Sequence, residues 1–81
     1  MSDDDIYQSL KKTPFEPFRI QVSDGTVYDV RHPELVMVGV SAIIVGIPAV
    51  GKVNPVYQRT VTISMGQIVK LLPLKSKPAK S

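Results

Sequence analysis

The stretch Phe18-Arg19-Ile20-Gln21-Val22-Ser23-Asp24-Gly25-Thr26-Val27-Tyr28-Asp29-Val30 decides the architecture of this chain. Apolar and polar residues alternate from Phe18 to Ser23, and Asp24-Gly25 returns the chain into Thr26–Val30. Alternation gives each strand one apolar face, and Gly25 supplies the positive φ that a tight hairpin turn requires. Phe18, Ile20 and Val22 are assigned to the core face, Arg19 and Gln21 to the other.

Before the hairpin, Ser2-Asp3-Asp4-Asp5 reads as a helix N-terminus, with a capping serine and acidic residues at the positive end of the helix dipole. Ile6, Tyr7 and Leu10 then share one side, Lys11 and Lys12 follow, and Pro14 and Pro17 end the helix. After the hairpin, Arg31-His32-Pro33-Glu34 breaks the pattern. Strands are predicted over Leu35–Val40 and Ala42–Ile47, and a loop over Pro48–Gln58. A further strand follows over Arg59–Met65, with Val61, Ile63 and Met65 inward. The last strand runs over Ile68–Leu72 and stops at Pro73. The predicted organisation is a helix in residues 1–12, a β unit in 13–74 and a disordered basic tail in 75–81. Five or six short strands leave vulnerable edges unless the sheet closes. The fold class predicted is therefore mainly β: a small SH3-like or Sm-like barrel with a short N-terminal helix.

Composition bounds what the chain can be. Its 81 residues allow one domain with a small core. With no cysteine and one histidine, it excludes a disulfide scaffold and a thiolate or multi-histidine metal site. No metal and no cofactor are predicted. The net charge of +3 comes from the tail: Lys75, Lys77 and Lys80 lie there, while Arg19, Arg31, Lys52, Arg59 and Lys70 nearly balance Glu16, Asp24, Asp29 and Glu34 in the folded part. The acidic start, Met1-Ser2-Asp3-Asp4-Asp5, lacks the basic region of a secretion signal, so a cytoplasmic protein is expected. Leu35–Gly51 is 17 residues without a charge, shorter than a membrane span and interrupted by Gly39, Ser41, Gly46 and Pro48. It reads as two buried strands, with no membrane role.

Few residues suggest chemistry. Gly46-Ile47-Pro48-Ala49-Val50-Gly51-Lys52 has the spacing of a phosphate-binding loop, but Val53 stands where Ser or Thr would hold magnesium. Asn54-Pro55 also precludes the helix start that such a loop needs. His32, flanked by Asp29 and Glu34, is the one candidate base, yet Ser23, Ser41 and Ser64 lie in no nucleophile motif. The simpler reading is a turn in which Glu34 pairs with Arg31. No enzyme is predicted. Candidate nucleic-acid contacts are Tyr57 with Arg59, an aromatic beside an arginine, together with Arg31 and the tail cations Lys75, Lys77 and Lys80. Asp24 and Gly25 are assigned a structural role in the turn. Met37 and Ile44 put apolar groups on the side opposite Val36, Val38, Ile43 and Val45. One small core covers only one side, so self-association is expected.

Thr13-Pro14-Phe15-Glu16-Pro17-Phe18-Arg19-Ile20, the Ser23-Asp24-Gly25 turn and His32-Pro33-Glu34 resemble a family of short, uncharacterised bacterial proteins over about Thr13 to Leu74. The order of elements is also similar to the Sm/Hfq-like proteins, and Ile68-Val69-Lys70-Leu71-Leu72-Pro73 resembles the closing strand of Hfq. That resemblance implies a small barrel, a homo-oligomer or ring, and RNA as a candidate partner. It does not carry over the RNA pore: where an Hfq-like protein has Tyr-Lys-His, this chain has Ser64, Met65 and Gly66. The alternative expectation is a protein-interaction or scaffold module with no nucleic-acid role.

Overall fold

A computed structural model describes residues 1–52 and 56–74. The predicted tail, with Lys75, Lys77 and Lys80, and the Val53-Asn54-Pro55 part of the loop lie outside the described residues. Helix α1 spans Asp3–Lys11, and Ser2 caps it by accepting a hydrogen bond from the Asp5 N–H at 3.3 Å. A helix this short is marginal by itself. It is held by Ile6, which is fully buried, and by Leu10, which packs against the same core. Complete burial of one such side chain contributes about 2 kcal/mol.

Six strands follow: β1 (Phe18–Val22), β2 (Val27–Val30), β3 (Val36–Val38), β4 (Ala42–Pro48), β5 (Tyr57–Ser64) and β6 (Ile68–Pro73). They form two antiparallel sheets, ordered β2-β1-β6 and β3-β4-β5. The alternation seen in the sequence sets which residues point inward. Phe18, Ile20 and Val22 from β1 meet Ile43 and Val45 from β4 and Ile63 from β5 in one core. No polar side chain is buried with them among the described residues. The uncharged run Leu35–Gly51 is not a helix: it supplies β3 and β4. Among the described residues no helix is long and apolar enough to cross a membrane.

The hairpin turn takes one residue more than the Asp24-Gly25 pair. Val22 exchanges hydrogen bonds across Ser23-Asp24-Gly25, donating to the Thr26 carbonyl and accepting from the Gly25 N–H, both at 2.9 Å. Gly25 sits at φ 92°, as the turn demands. Asp24 locks it by accepting from the Thr26 N–H at 2.8 Å.

Two 3₁₀ turns, Pro33–Leu35 and Met65–Gln67, join β2 to β3 and β5 to β6. Pro33 cannot donate to a strand ladder, and it begins the first of these turns. The predicted strand Leu35–Val40 is accordingly shortened to β3. No strand of one sheet is ladder-paired with a strand of the other among the described residues, so the chain is seen as two packed sheets rather than a closed barrel.

Candidate functional site

The outer face of β3-β4-β5 carries an apolar cleft of about 410 Å³. Strand register builds it row by row. Met37 lies opposite Ile44, and Ile44 opposite Thr62; in the next row Gly46 lies opposite Thr60. Met37 is 67% exposed and Ile44 39% exposed, because their strand neighbours Val36, Val38, Ile43 and Val45 take the core-facing positions. The N-terminal helix does not cover this side: Tyr7 and Leu10 instead line a recess with Val36 and Val38.

Gly46 makes the cleft's depth. A Cβ at this position would lie 3.1 Å from the Leu35 carbonyl oxygen and 3.1 Å from the Tyr57 Cβ. A side chain here would press the Leu35 backbone and Tyr57 back by a few tenths of an ångström. The walls are then Leu35, Met37, Ile44, Val56 and Tyr57, with Glu34 and Thr60 as the polar groups. Glu34 supplies the single formal charge. It makes no ion pair among the described residues; Arg31, which the sequence pairs with it, reaches Asp29 at 3.8 Å instead.

Tyr57 and Arg59 are not brought together. The register shifts at the end of β4, so Ile47 faces Arg59 while Pro48 faces Tyr57, leaving Gln58 extra. This β-bulge re-aims Tyr57 onto the outer face. Arg59 keeps the parity of Val61 and Ile63 and lines no part of the cleft. The aromatic and the cation therefore present to opposite sides.

A second polar cluster lies on the outer face of the other sheet. Arg19 on β1 faces Asp29 on β2, donating Nε to Oδ1 at 2.7 Å and Nη2 to Oδ2 at 3.2 Å. The Arg19 hydrogen bond holds the Asp29 carboxyl below its usual range, and Arg31 adds a smaller attraction. The Thr26 N–H does the same for Asp24. Sequence reading missed the Arg19–Asp29 pair, although the hairpin register sets these two residues opposite each other.

The remaining motifs fall on separate elements. Gly46, Ile47 and Pro48 of the phosphate-loop-like spacing lie within β4, and Gly51 turns at φ 81°. His32 precedes the first 3₁₀ turn and its side chain does not cap it. No group of three metal-ligating side chains occurs among the described residues. Compared with protein-family models, curated proteins and solved structures, the chain matches none.

Proposed function

We propose that this chain is a non-enzymatic protein-interaction module whose cleft takes an extended peptide with an apolar side chain next to a basic one. The observation that carries this reading is the cleft itself: walls of Leu35, Met37, Ile44, Val56 and Tyr57, and one acidic group, Glu34. Methionine adapts to varied apolar shapes, and tyrosine offers an apolar face with a polar tip. Glu34 complements a cation and repels an acid. The test is chemical-shift mapping with short peptides carrying Lys-Leu or Glu-Leu. The Lys-Leu peptide should shift Met37, Ile44 and Tyr57 resonances, Tyr57→Ala should weaken it at least tenfold, and Glu34→Lys should reverse the preference. Equal binding of both peptides to the unmodified protein would overturn the reading.

We further propose that the scaffold is a small barrel of the SH3-like or Sm-like kind. The support is that the chain passes directly from one sheet to the other at both 3₁₀ turns, as at the corners of orthogonally packed sheets.

A second reading is an Sm/Hfq-like oligomeric RNA-binding protein. It is favoured by the order of elements, helix first and last strand returned to β1. Binding of single-stranded RNA at two salt concentrations tests it. A pore or face using Arg31, Tyr57 or Arg59 would keep its affinity in a chain ending at Leu74. Attraction through Lys75, Lys77 and Lys80 alone would vanish with them and lose its salt dependence.

A further inference from the structure

Among the described residues the two sheets have four edge strands, β2 and β6 in one, β3 and β5 in the other. Three of them are short or carry a residue that discourages pairing: β2 has four residues and Asp29, β3 has three residues, and β6 has Lys70 and ends in Pro73. Strand β5 differs. It has eight residues, and Thr60-Val61-Thr62-Ile63-Ser64 contains neither charge nor proline. Native proteins blunt long, flat, uncharged edges unless something pairs with them.

We infer that the partner of this edge is β5 of a second copy, antiparallel, about a two-fold axis at Val61. Residues opposite each other in an antiparallel pair share a face, so inward Val61 and Ile63 must meet inward residues and Thr60 and Thr62 outward ones. An axis at Val61 satisfies this over the regular part of the strand, beyond the bulge at Gln58. Val61 then meets Val61 of the second copy, Thr60 meets Thr62, and Arg59 meets Ile63. The two Arg59 side chains stand ~14 Å apart along the strands, beyond effective repulsion at physiological salt. The result is a six-stranded sheet whose outer face joins the Met37–Ile44 surfaces of both copies. This pairing involves the edge of β5 and does not depend on what the cleft binds.

The chain has no cysteine, so introduced thiols report cleanly. Thr60→Cys mixed with Thr62→Cys should cross-link into a heterodimer under mild oxidation. Neither variant should cross-link alone, because like positions lie ~8 Å apart across the axis, too far for a disulfide. Light scattering at tens of micromolar should give the mass of a dimer. The exposed double variant Thr60→Lys/Thr62→Lys, which sets like charges opposite, should be a folded monomer by circular dichroism. Mixing it with Thr60→Glu/Thr62→Glu should restore the dimer. A monomeric unmodified chain would overturn the inference. So would a mass above that of a dimer, or cross-linking of Thr62→Cys to Lys70→Cys, which marks head-to-tail pairing of β5 with β6.

Discussion

Arg19 and Asp29 meet across the hairpin as a two-pronged ion pair, Nε to Oδ1 at 2.7 Å and Nη2 to Oδ2 at 3.2 Å. Asp29 titrates below its unfolded value of about 3.9, because the arginine favours its charged form. A carboxylate depressed in the folded state adds stability above the unfolded pKa and loses it as pH falls through the folded one. Asp24 behaves in the same direction through the Thr26 N–H. The urea midpoint of the protein should therefore fall between about pH 5 and about pH 2. Asp29→Asn should show a smaller fall, with the Asp24 part remaining. An identical fall in both would mean that the pair contributes nothing to stability.

Gly46→Ala is expected to cost about 1–3 kcal/mol by urea denaturation, as for overpacking elsewhere. The added carbon meets the Leu35 backbone oxygen and the Tyr57 Cβ, both at 3.1 Å, and neither swings aside as a flexible side-chain tip would. The control is Gly66→Ala, whose nearest neighbour is the Ser64 hydroxyl at 3.9 Å. It should lie within about 0.5 kcal/mol of the unmodified protein.

Gly25→Val should lose at least ~1 kcal/mol, although nothing crowds the site. No atom lies within 4 Å of a Cβ there, so the cost is wholly in the φ of 92°. Gly25→Asn should lose less, since asparagine tolerates positive φ better. Equal losses from the two, compared by thermal melting, would point to a cause other than backbone strain.

Ile63→Asp should abolish the cooperative thermal transition. Ile63 is 3% exposed in a core that buries no polar side chain among the described residues, and its replacement would bury a carboxylate with no partner. A folding free energy of about 5–15 kcal/mol leaves little room for such a cost in so small a domain.

How far the sequence could be read depended on the range of the interaction. The hairpin was legible because Gly25 and the alternation around it act within a few residues. The inward set Val61, Ile63 and Met65 was legible for the same reason. The cleft was half legible: Met37 and Ile44 announced a second apolar side, but not its depth. That depth rests on Gly46 accepting Leu35 from one flank and Tyr57 from the other, a juxtaposition of three distant positions. Tyr57 and Arg59 show the opposite failure. They read as an aromatic at a loop end beside an arginine, and one extra residue at Gln58 separated them. Arg31 was matched to the wrong acid because the turn at Pro33 was expected to be local, whereas Arg31, just past the end of β2, reaches back to Asp29.

The return of β6 to β1 has a consequence for synthesis. Phe18 pairs with Pro73, so one flank of β1 is completed only by β6, the latest of the described strands to be synthesised. Until Ile68–Pro73 emerges, β1 is strand-paired with β2 alone, and two-stranded hairpins are at best marginally stable in water. A nascent chain halted before Ile68 should therefore be cut readily by protease throughout its length. Release of β6 should confer resistance on the two sheets together, a single late step rather than a growing protected core.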